Sequence, residues 1–126
     1  MTDKLSIFAG KKYLSLESFR KTGAPVRTPV WFAEHYGKVY IYSLADAGKV
    51  KRIRNNPEVR IAPCDVRGGN IGEWIEANAK IEEPGGERLG MSILTKKYGL
   101  MKRLGDFFSG KLLGRKRVVI SISPSD

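Results

Sequence analysis

The chain has 126 residues, 41% of them hydrophobic and 29% charged, which suits one domain with a single core and excludes both a disordered chain and two ordinary domains. No apolar run reaches the length of a membrane-spanning helix, and Leu5, Ile7 and Phe8 make too short a stretch for a secretory signal, so a soluble, cytoplasmic protein is expected. The 23 Lys and Arg against 13 Asp and Glu leave a formal charge of +10, which favours nucleic acid, an acidic membrane surface or a phosphorylated small molecule, or serves solubility alone.

The pattern along the chain is mostly strand. Residues 12–20 alternate briefly at Tyr13, Leu14, Ser15 and Leu16, and stop at a glycine-containing turn over residues 21–24. Residues 25–33 set Val26, Thr28, Val30 and Phe32 on one face and Arg27, Pro29, Trp31 and Ala33 on the other. A turn at His35, Tyr36 and Gly37 leads to a third strand over residues 38–43. Next comes a short helix, with Asp46 as the expected N-cap, Ala47, Val50 and Ile53 on its apolar side, and Pro57 beyond its end.

Two further strands occupy residues 59–64 and 74–82, joined by a loop through Arg67, Gly68, Gly69 and Asn70. Met91, Leu94, Tyr98, Met101, Leu104 and Phe108 recur at helical spacing, as a core stripe does, and Gly99 is placed to break that helix in two. Residues 117–123 form the last strand. No linker, repeat or low-complexity segment divides the chain, so residues 1–126 are expected to form one domain, a small antiparallel barrel covered by a helix.

Chemistry-bearing residues are few. Cys64 and His35 are the only cysteine and histidine, which rules out an internal disulfide and leaves little for a zinc site or a nucleophile–histidine pair. The short helix says more. Lys49 falls in its first turn, where a cation is unfavourable unless an anion shares the site, and Gly48 lets a ligand approach the backbone. Together they suit a phosphate. The competing reading is a solvated basic face of Lys49, Lys51, Arg52 and Arg54, which a nucleic-acid backbone would also satisfy, aided by Arg115, Lys116 and Arg117.

Pro29 removes a ladder donor and belongs at an edge or bulge, leaving backbone groups near Thr28 and Val30 for the polar rim of a planar ring. Trp31 offers a flat wall, or else packs with Phe32 in the core or a dimer interface. Pro63 marks a second strand end or edge, and Cys64 beside it has no base nearby in sequence.

The runs 28–32 (TPVWF), 40–43 (YIYS), 48–57 (GKVKRIRNNP) and 62–65 (APCD), with Gly68, resemble the flavin/deazaflavin split-barrel superfamily that includes pyridoxamine 5′-phosphate oxidase. Within it the chain is most similar to the small deazaflavin (F420)-dependent oxidoreductases. The resemblance implies a mainly β, six-stranded antiparallel split barrel with a short basic helix and a longer C-terminal helical segment. It further implies a homodimer with two cofactor sites along the interface. In such relatives the positions matching Ser43 and Lys49 hold the cofactor phosphate. Those matching Thr28, Pro29 and Val30 border the ring, with Pro63 and Cys64 close by. The longer C-terminal part that completes the substrate site of pyridoxamine phosphate oxidases has no counterpart here.

The expected protein is therefore an F420- or FMN-dependent oxidoreductase acting on a small organic substrate. The cofactor would bind at Thr28, Pro29, Val30, Trp31, Ser43, Gly48, Lys49, Pro63 and Cys64, with no obligatory catalytic side chain and no metal. The alternatives are a basic barrel that binds nucleic acid or a partner without chemistry, and a cofactor carrier.

Overall fold

Local turn chemistry sets the first two strands of the computed structural model, which describes residues 4–45, 47–82 and 117–125. Strands β1 (Tyr13–Phe19) and β2 (Pro25–Trp31) meet across a turn in which Gly23 takes a φ of 91°, a conformation glycine adopts freely. Strand β2 alternates half-buried Val26, Thr28 and Val30 with exposed Arg27, Pro29 and Trp31, as its two-residue period requires. A one-residue step at Phe32 separates it from β3 (Ala33–His35). Tyr36 and Gly37, with φ of 49° and 77°, then turn the chain into β4 (Lys38–Leu44), and His35 pairs with Lys38 at the mouth of that hairpin.

Helix α1 (Gly48–Asn55) follows, then β5 (Glu58–Cys64), β6 (Ile75–Ile81) and β7 (Arg117–Pro124). All pairings are antiparallel, in the order β2-β1-β5-β6-β7-β4-β3. Six strands are expected from the sequence and seven are present among the described residues, because the strand anticipated over residues 25–33 is divided. Its first half pairs with β1 and its second with β4, at opposite ends of the sheet order. The sheet must therefore curl until its two edges meet at Phe32. That side chain is buried and packs edge-to-face on Phe8, ring centroids 5.5 Å apart. Phe8 and Leu5 come from a short 3-10 helix, Lys4–Phe8, which the sequence pattern does not announce.

The core inside the curl is aliphatic: Leu14 and Leu16 of β1, Val39 and Ile41 of β4, Val59 and Ile61 of β5, and Ile120 and Ile122 of β7. Val50 and Ile53 of α1 dock into it, three residues apart, so the helix lies against the sheet with Lys51 and Arg54 exposed. The helix begins one residue later than expected: Ala47 is the N-cap, and no side chain caps it, while Asp46 lies outside the described residues. The expected C-terminal helix, including Gly99, also lies outside them, as do Arg115 and Lys116. No helix among the described residues is long and apolar enough to cross a membrane.

Candidate functional site: a cationic helix turn and the neighbouring strand edge

Helix α1 gathers positive charge at its start. Lys49 is half-buried, and its ammonium makes no hydrogen bond or ion pair with any described residue. Burial first, and the nearby Arg52 charge second, hold its pKa below the usual lysine value. The expected open approach to the backbone at Gly48 is taken by Arg52, whose guanidinium folds back over that glycine. A β-carbon there would lie 2.8 Å from Nη1. Arg52 Nε donates to the buried Ser18 hydroxyl at 2.7 Å. The first turn holds no acidic residue, so nothing there offsets these charges or the positive end of the helix.

Ser43 is buried on β4, where its hydroxyl donates to the Leu44 carbonyl at 3.1 Å; no hydrogen bond joins it to Lys49. Ser18 pairs in register with Val26, two residues along β2 from Thr28. Arg52 is thereby tied to β1, the strand that pairs with β2 and its Thr28, Pro29 and Val30. Strand β2 has its free edge opposite β1, so Pro29 costs no ladder bond where it sits.

Register also fixes how the other expected residues are arranged. Trp31, Tyr13 and Cys64 form one cross-strand row, and Val30, Leu14 and Pro63 the next. With β1 between them, the β2 and β5 members stand two strand spacings apart, about 10 Å. Pro63 lies past the last residue of β5 that pairs with β6, and its carbonyl accepts from Gly72 N–H at 2.9 Å. Burial first, then the Asp65 charge, push the Cys64 thiol pKa up, which suits a packed cysteine and not a nucleophile.

The loop after β5 is built around Asp65. Its carboxylate accepts from Arg67 N–H at 2.9 Å, Gly69 N–H at 2.7 Å and Asn70 Nδ2 at 2.9 Å. Gly68, at φ 83°, lies against the Pro29 ring. Trp31 at 40%, Val66 at 61% and Ile71 at 37% exposure put apolar surface on this loop and on β2. A concavity of about 230 Å³ opens beside them, lined by Lys11, Pro63, Cys64, Asp65, Asn70 and Gly72. A larger one, about 410 Å³, lies over β5 and β6 beside Phe19, Arg60 and Glu76. Neither is lined by Lys49 or by Thr28, Pro29, Val30 or Trp31.

The sequence reading missed a charged cluster on the opposite face of β1 from the core. Glu17 is fully buried there and paired in register with Arg27 on β2 and Arg60 on β5, its oxygens 2.8 and 2.6 Å from their guanidinium nitrogens. Trp74 covers the pair, the two guanidinium carbons 4.7 and 5.3 Å from its ring centroid. Burial alone would push the Glu17 pKa up, but the hydrogen bonds and charges of Arg27 and Arg60 outweigh it and hold it below the ordinary value. A lone glutamate in the otherwise uncharged β1 run is the signal that could have marked it.

No family model and no curated protein matches the chain. Solved structures do match. An F420 reductase aligns over 100% of this chain and 96% of its own at 19% identity, with a TM-score of 0.62. A pyridoxamine 5′-phosphate oxidase-like protein from Listeria innocua aligns over 97% and 90% at 20% identity, TM-score 0.62. HutZ, a heme storage protein from Vibrio cholerae, aligns over 100% and 92% at 15% identity, TM-score 0.69.

The chain has the pyridoxamine 5′-phosphate oxidase-like split-barrel fold. The neighbours of this split barrel include enzymes and a storage protein, so the fold is shared across more than one function.

Proposed function

We propose that this split barrel is a cytoplasmic, homodimeric oxidoreductase that binds F420, or alternatively FMN, and transfers hydride between it and a small organic substrate. One observation carries the reading: Lys49 is a half-buried ammonium with no carboxylate to pair with among the described residues. An anion beside it would recover the solvation that burial removes, and the phosphate that both cofactors carry on the ribityl chain suits that role.

The bound cofactor supplies the hydride chemistry. Lys49 holds the anionic end, and the free edge of β2 at Pro29, between Thr28 and Val30, offers its backbone to the ring. Ser43 acts through the backbone at Leu44 that leads into α1. The exposed apolar surface at Trp31, Val66 and Ile71 supports a second copy closing over the ring, with the loop that carries Pro63 and Cys64 at the margin.

Titration of the purified protein with F420 and with FMN, followed by ring fluorescence, tests this. Lys49→Ala should weaken the preferred cofactor by about 1.5–3 kcal/mol, the scale of a charge-assisted hydrogen bond. Unchanged affinity for both would remove the assignment. The similarity to HutZ supports a second reading, a cofactor carrier with the same pocket and no turnover. Reduced cofactor that binds stoichiometrically but is never oxidised by any acceptor offered would favour it.

A further inference from the structure

Arg52 is not used by the reading above, yet its placement is the most constrained of the α1 cations. Ser18 fixes its Nε, and Gly48 leaves the space its Nη1 occupies. Burial, and then the charge of Arg20, lower its pKa, while Arg52 in turn depresses Lys49. Arg52 thus stands within reach of the charges of Arg20 and Lys49, and none of the three pairs with a carboxylate among the described residues. The same chain handles the other arginine pair differently: Arg27 and Arg60 share the buried Glu17 between them. Among the described residues only Nε of Arg52 is committed, and a guanidinium carries further N–H donors suited to two oxygens at once.

We infer that Arg52, positioned by Ser18 and admitted by Gly48, binds a second anionic group next to the one held by Lys49. The site then selects a ligand end with two linked anions over a single phosphate monoester. This rests on the Lys49 reading and deepens it. Two linked anions occur as a pyrophosphate, in FAD, or as a phosphodiester followed by carboxylates, in F420; FMN has only the monoester.

Calorimetric titration of the full chain with inorganic pyrophosphate and with inorganic phosphate tests the inference. Wild type should bind pyrophosphate at least tenfold more tightly. Arg52→Gln should cut pyrophosphate affinity about tenfold and phosphate affinity less than threefold. Ser18→Ala should fall between wild type and that variant, because Ser18 acts only through the arginine. Gly48→Ala separates placement from folding. It removes a glycine from a helix that an alanine would strengthen, so the melting temperature should hold or rise while pyrophosphate affinity drops as in Arg52→Gln.

Fluorescence titrations with FAD, F420 and FMN then identify the source, the preferred ligand being whichever two-anion cofactor loses its advantage over FMN in Arg52→Gln. Equal affinity for pyrophosphate and phosphate in wild type, or a preference unchanged in Arg52→Gln, overturns the inference even where Lys49-dependent cofactor binding persists. Arg52-dependent pyrophosphate binding without binding of any flavin or deazaflavin would uphold it and discard the oxidoreductase.

Discussion

Replacing Glu17 by glutamine keeps the shape of the buried carboxylate and removes its charge. In the structure both Glu17 oxygens accept, one from Arg27 at 2.8 Å and one from Arg60 at 2.6 Å. The amide retains one acceptor and turns an NH₂ toward the other guanidinium, so one charge-assisted bond, about 1.5–3 kcal/mol, is lost outright and the second weakens. The arginine side chains are 50% and 38% exposed and recover part of their hydration, which argues against the full penalty of a broken buried pair. A net loss of about 2 kcal/mol is expected, or roughly 6–10 °C in melting temperature for a chain of this size.

The pH dependence follows from the same carboxylate. Its pKa is held below the ordinary value, so its stabilisation is present above the unfolded value of about 4.3 and disappears as pH falls through the folded one. Urea unfolding of both proteins at neutral pH and near pH 3, read by tryptophan fluorescence, should show a gap that narrows on acidification. A neutral-pH difference under about 0.5 kcal/mol, or a gap that does not narrow, would refute the reasoning.

Other outcomes follow from the same geometry. Phe32→Ala should cost about 3–5 kcal/mol in denaturant unfolding, since the ring is buried on Phe8 at the step joining the two edges of the sheet. Lys49→Met should raise the melting temperature of the ligand-free protein while weakening cofactor binding, because the ammonium is partly desolvated with no partner to compensate it. Asp65 has its pKa lowered chiefly by the Gly69 N–H, so the loop should hold together above the ordinary carboxylate range and loosen in acid. Hydrogen exchange at the Arg67 and Gly69 amides should speed up in Asp65→Ala and, below about pH 4, in wild type.

The parts of the fold readable in the sequence are those where one face is wet. Strand β6 shows buried Ile75, Ala77 and Ala79 between exposed Glu76, Asn78 and Lys80, and its alternation is visible in the letters alone. Strand β1 is covered on both faces, with Ser15, Glu17 and Ser18 buried among Leu14 and Leu16, so residue type does not report burial there. The division at Phe32 is hidden because Val30, Trp31, Phe32 and Ala33 are one continuous apolar run, in which nothing marks the change of pairing partner. At the candidate site, the basic helix and the edge proline are legible because glycine, proline and charge act locally. Ser18, Arg20 and Arg52 converge only through the docking of α1 on the sheet, and local spacing carries no trace of a contact 34 residues apart.

Strand β7 lies between β6 and β4, although it is the last of the seven to leave the ribosome. Until it arrives, a nascent chain carries two open hydrogen-bonding margins, on β4 and on β6, either of which can recruit a stray strand. Closure of the sheet therefore waits for β7 and comes in one late step that joins segments distant in sequence.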